Sequence, residues 1–209
     1  MFRLICMLAL LLVIAPSHAG DMGRELAKAR SVFLQGVDGD KRAVRDATTR
    51  FRTLSVRHPD DPVFLAYFGA SMTLQGRDAS NDLDKMRLTK DGLKKIDRAL
   101  KLLSAGHDNN SSEELETMLV AADSFIHIPA FFNRYDRGKR LLGRILEHPD
   151  FARMAPGFKA AAYLAAALVA RGEGDEDKYR RYLDLTIKTD PEGRDGRMAG
   201  KLKDEKWLF

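Results

Sequence analysis

The chain has one cysteine in 209 residues, Cys6, and everything after it is cysteine-free. That excludes a small secreted fold stapled by disulfides, so any core has to come from packing. Strand signals are nearly absent: helical periodicity runs through most of the chain, and period-two alternation does not. There is no block of like charge either. The net charge is +5 with a pI near 9.3, and the Lys and Arg are scattered among Asp and Glu, which argues against a nucleic-acid-binding arm. No Walker loop, dinucleotide glycine motif or Ser-His-Asp elbow is present. None of His58, His107, His127 and His148 forms an i, i+4 pair and no cysteine helps them, so neither a metal nor a cofactor is expected. What is there is enough to fold: 44% hydrophobic and 31% charged residues suit one domain or one array of small repeats.

The N-terminus reads as a secretory signal. Arg3 supplies a positive start, residues 4–15 form an apolar run (LICMLALLLVIA), and Pro16 and Ser17-His18-Ala19 precede Gly20. The run is short for a bilayer span. A lipoprotein would need a cysteine after the cut, where Gly20 stands. Residues 1–19 are therefore expected to be a signal peptide cleaved after Ala19, with the product in the bacterial periplasm. The alternative is an uncleaved N-terminal anchor in the inner membrane.

Helices follow one another, punctuated by proline. In residues 41–58, Val44, Ala47, Phe51 and Leu54 recur at three- and four-residue steps, and Pro59 ends the segment. Pro62 opens a helix over 63–75 that is apolar almost all round, as for one buried between neighbours. Further helices are expected over 83–103, 115–125 (with a Ser111/Glu114 capping box), 136–146, 156–170, 175–188 and 198–206. "GEGDED" at 172–177 reads as the turn inside a helix pair.

A helix pair cannot bury its own apolar face and has to stack on another, so a repeat of such pairs is expected. Leu65, Phe68, Gly69 and Met72 have the spacing of the first helix of a tetratricopeptide unit. Ala47 and Phe51, closed by Pro59, have that of a second helix. Tyr179, Leu183 and Pro191 repeat those offsets, Gly92, Ile96 and Ala99 match another second helix, and Leu115, Met118, Leu119 and Ala122 another first one. Gly138, Leu142 and Ile145, then Phe158, Ala161, Ala162 and Ala165, continue the series. Over nearly all of residues 20–191 the chain resembles a divergent tetratricopeptide-repeat (TPR-like) protein. Two departures stand out: about eleven extra residues in or around "GRDASNDLDKMRL", and no good match for the first helix of the first unit.

The resemblance implies an all-α fold, a short right-handed α-solenoid of about four stacked helix pairs over residues 20–191, capped by a C-terminal segment, 192–209. It implies a concave groove lined by first helices, into which Tyr67, Thr73, Glu116, Asp123, Lys159 and Tyr163 would look. The loop "IHIPAFFNRYDR" adds Phe131, Phe132 and Tyr135. These rings either form an exposed aromatic anchor for a partner or plug a gap between adjacent helix pairs.

His-Pro-Asp occurs twice, at His58 and at His148, ninety residues apart. The tripeptide is also a signature of J-domain co-chaperones, and "FRTLSVRHPD" resembles the end of that family's second helix. That family needs a longer loop next, whereas Pro62 starts a new helix at once. One cause covers both copies: each stands where a helix stops.

The expected function is a non-catalytic interaction module that binds a protein or peptide on its concave face, with no nucleic acid and with membrane association only through a partner. The alternatives are an accessory component of an envelope transport system, or an enzyme with an unrecognised carboxylate or histidine site.

Overall fold

The computed structural model describes residues 18–104 and 111–204. Among these are nine α-helices, two single-turn 3-10 helices and no strand. The helices are α1 (His18–Val37), α2 (Lys41–Arg57), α3 (Pro62–Asp78), α4 (Asp82–Ser104), α5 (Ser111–His127), α6 (Tyr135–Leu146), α7 (Pro156–Gly172), α8 (Glu176–Thr189) and α9 (Arg194–Asp204). The all-α class expected from periodicity is what the chain adopts. The N-terminal segment up to residue 17, His107 and the terminal residues 205–209 lie outside the described residues.

Local chemistry sets the helix ends. The Asp40 side chain accepts from the backbone N–H groups of Arg42 and Ala43, and Asp61 does the same for Val63 and Phe64. Pro62 occupies the first turn of α3, where a missing N–H costs nothing. Gly39 (φ +106°) turns the chain between α1 and α2, and Gly174 (φ +74°) turns it between α7 and α8. Asp175 then caps α8 by accepting from Lys178 N–H, so "GEGDED" is the connection inside a helix pair. His58 is the C-cap residue of α2, and His148 follows the end of α6; both His-Pro-Asp copies stand at helix ends.

Each helix packs chiefly on its chain neighbour, as α1 with α2, α3 with α4, α5 with α6 and α7 with α8. In addition α1 packs on α3, α3 on α5, α5 on α7, and α7 on α9. The tightest crossing is α3 with α4. A Cβ on Gly69 would lie 2.6 Å from the Gly92 carbonyl oxygen, and one on Gly92 would lie 2.5 Å from that of Gly69. The extra residues of this unit do not form a loop. They lengthen the pair, and α4 reaches 23 residues with only residues 79–81 between it and α3.

The largest core cluster runs from α4 to α7 through Ile96, Leu115, Phe125, Ile145, Phe151 and Val169. A second joins α1 to α2 and α3 through Ala29, Phe51, Leu54 and Phe64. A third fixes α9 to α7 and α8 through Leu164, Tyr179, Leu183 and Ala199. Two expectations shift. A helix stands ahead of α2, where no first-helix pattern was evident, because α1 turns small residues such as Ala29 and Gly36 inward. The last helix starts at Arg194, one turn before Met198.

Candidate functional site

Helices α1, α3 and α5 share one polar junction. Arg30 of α1 donates to Glu116 of α5 through two nitrogens, with Nε 2.6 Å from Oε1 and Nη2 on Oε2. Tyr67 of α3 donates its hydroxyl to Glu116 Oε1 at 2.8 Å. Both carboxylate oxygens are therefore occupied. Burial works against the Arg30 charge, but the Glu116 carboxylate outweighs it and holds the guanidinium above its ordinary pKa. Burial, and after it the same carboxylate, drive the Tyr67 phenol far above its usual range, so it stays a neutral donor. The Tyr67 ring stacks on Phe51 at 4.6 Å and meets Phe33 edge-on at 5.1 Å. Such contacts contribute about 0.5–1.5 kcal/mol each beyond area burial.

Three turns further along α5, His127 Nδ1 lies 2.8 Å from the Asp123 carbonyl oxygen and 3.3 Å from its carboxylate. The hydrogen bond to Asp123 raises the imidazole pKa to about 9, so the ring is cationic at neutral pH. Asp195 of α9 lies close enough to Asp123 to feel its charge, and burial raises its pKa in spite of the adjoining Arg194. Arg194 in turn donates to Asp38, just past α1, from Nε at 2.9 Å and Nη2 at 2.6 Å. Groups from α1, α5 and α9 thus converge, although Asp38 and Arg194 are 156 residues apart.

The residues singled out from sequence meet different fates. Glu116 and Tyr67 come together, but Tyr67 is packed by its ring and offers only its hydroxyl. Thr73 is a correction: it is buried in the α3–α4 crossing, donates to the Ala70 carbonyl, and would meet a Cβ on Gly92 with its methyl group, so it does not line a groove. Asp123 is half-exposed beside His127. Lys159 reaches back to the Ala152 carbonyl at 3.2 Å. Tyr163 sits among Phe151 (5.5 Å) and Tyr182 (6.3 Å). Phe131 is 68% exposed, while Phe132, 4.4 Å from it, packs on the main core. Tyr135 is half-buried with its hydroxyl 3.5 Å from the Val169 carbonyl, bridging α6 to α7.

Arg30, Asp38, His127, Arg194 and Asp195 were not apparent from sequence. No local motif marks them: Arg30, Asp38 and Arg194 acquire partners through tertiary packing, whereas His127 pairs with its i−4 aspartate and Asp195 with the adjoining Arg194. Among the described residues no group of three His, Cys, Asp or Glu side chains is placed to hold a metal ion, and no helix is long and apolar enough to cross a membrane. No family model matches the chain, and neither a curated protein nor a solved structure matches it.

Proposed function

We propose that the protein is a non-catalytic interaction module of tetratricopeptide-like design. In this reading α1/α2, α3/α4, α5/α6 and α7/α8 are four pairs wound right-handedly, with α9 as the cap. A protein or peptide partner binds along the face formed by α1, α3, α5, α7 and α9. The observation that carries the reading is the junction of Arg30, Tyr67 and Glu116, which ties together the first helices of three successive pairs. Contacts between successive first helices are what stacked repeats need, because each unit covers its neighbour's apolar face. On α5 the half-exposed carboxylate is Asp123, so a partner segment offering hydrogen-bond donors suits this face. Asp123 and the partly buried Tyr163 of α7 are groups there.

A photoreactive residue at position 123, on the α5 face, is expected to give one discrete adduct in cells, and one at position 181, on the exposed side of α8, none. Adducts from position 181 alone would overturn the assignment of the binding face. The proposed site of action is the periplasm, and N-terminal sequencing should then read Gly20-Asp21-Met22. Finding Met1 in a cytoplasmic fraction would remove the periplasmic assignment.

A further inference from the structure

The lysines and arginines that look scattered in the sequence are segregated by the fold. Helix α2 carries six cations and one carboxylate, and α4 seven cations and four carboxylates. On α4 the buried side is Thr89, Gly92, Leu93, Ile96, Ala99 and Leu100. The opposite side reads Leu83, Arg87, Lys90, Lys94, Arg98, Lys101, all exposed and at helical spacing. A solvated helix face ordinarily mixes both signs; this one has no carboxylate. Asp84 is spent on Arg87 at the start of the helix. Asp91 lies at the flank, 3.4 Å from Lys94. Asp97 is drawn to the far flank, where Arg134, just before α6, and Arg137 of α6 both bind it. The outer side of α2 follows the same rule with Arg42, Arg45, Arg52 and Val56, while Asp46 is turned aside to Arg50. Both helices flank α3.

Asp91, Lys94, Lys95 and Arg98 of α4 also line a hollow of about 320 Å³ together with Leu65 and Met72 of α3. Two of the most exposed apolar side chains of the molecule continue these stripes: Leu83 (79%) on α4 and Val56 (72%) on α2.

We infer that the outer face of α4, extended by that of α2, docks on an anionic lipid bilayer. The charge is spread along α4 over about 21 Å. It does not converge on one point, and five of the seven cations of the helix are flexible lysines. A diffuse anionic surface matches such a stripe, whereas a stereospecific acidic peptide calls for fixed, bidentate partners. The exposed Leu83 and Val56 suit the boundary between headgroup and acyl chain. This face lies on second helices and leaves the proposed partner face of the first helices free.

The test is co-sedimentation of the full chain with vesicles of phosphatidylcholine alone or containing 30 mol% phosphatidylglycerol. Neutral vesicles account for whatever residues 4–15 contribute. Binding is expected to the anionic vesicles, and to fall away above about 0.5 M salt as screening shortens the range of the field. Each neutralised cation should lower partitioning roughly fivefold. Lys90→Gln/Lys94→Gln/Arg98→Gln should therefore lower it about a hundredfold, with an unchanged helical circular-dichroism spectrum. Arg181→Gln/Lys188→Gln on α8 should change nothing. Equal binding to both vesicle types, or full binding by the triple variant, would overturn the inference. So would displacement from vesicles by equal charge of polyglutamate, which would point to an acidic polypeptide instead.

Discussion

Gly69 and Gly92 set a close approach of the α3 and α4 backbones, and each would place a Cβ within 2.6 Å of the other's carbonyl oxygen. A backbone atom cannot step aside as a flexible side chain would. Gly69→Ala should therefore lower stability, at or above the roughly 1–3 kcal/mol typical of overpacking, even though alanine favours a helix. Urea melts at constant m-value would show it, and an unchanged midpoint would mean that α3 and α4 do not cross there. His127 makes a second case at this scale. Its folded-state pKa of about 9 lies above the ordinary 6.5. The stabilisation is fully present below about pH 6.5 and fades as the pH rises through about 9. Its ring is 52% exposed, so solvent screening keeps the effect small. His127→Gln should remove this slope from a plot of unfolding free energy against pH between about 6.5 and 9; an identical slope in the variant would assign the pH dependence elsewhere. Neither role is readable from the residue alone. Thr73, expected in a groove, shows why: offset along a helix fixes angular position, but not whether a small neighbour such as Gly92 lets a second helix cover it.

At the scale of elements, the sequence was most legible where punctuation is chemical. Pro62, Pro156, Asp40, Asp61 and Asp175 mark helix starts by geometry or hydrogen bonding that needs no tertiary context. Helix α1 was missed because its inward residues are small and weakly periodic. The length of α4 was legible, since the helix expected over 83–103 runs Asp82–Ser104. The two His-Pro-Asp copies follow the punctuation rule, yet only the first is followed by a capped helix. Asp61 accepts from two N–H groups of α3, while in the second copy the Asp150 backbone N–H donates to His148 Nδ1 at 3.1 Å and the chain leads into a single 3-10 turn. Asp61→Ala should then cost about 1 kcal/mol through the lost cap. His58→Asn and His148→Asn should each stay within about 1 kcal/mol, and neither should alter capture by the probe at position 123. If either histidine variant abolished capture with its fold intact, helix termination would no longer account for the motif.

At the scale of the whole molecule, the contact of most consequence for shape is the one the sequence could not announce. Asp38 and Arg194 lie at opposite ends of the chain, and no periodicity relates them. The pair is exposed enough, 49% and 29%, that its contribution to global stability should be no more than about 1 kcal/mol. Its geometric leverage is larger, because it links the turn after α1 to the first turn of α9, which otherwise is held by α7 and α8. Arg194→Ala should thus leave the melting temperature nearly unchanged and loosen the distance between the two ends. Spin labels at Ser31→Cys and Arg197→Cys in a Cys6→Ser background would read that distance directly. The parent should give a narrow distribution at low salt, the Arg194→Ala variant a broader one, and the parent in about 1 M salt should approach the variant, since the Debye length there is about 3 Å. A distribution equally narrow in all three conditions would mean that the apolar packing of α1 on α2 and α3, and of α9 on α7 and α8, fixes the separation unaided, with the Asp38–Arg194 pair only a passenger on it.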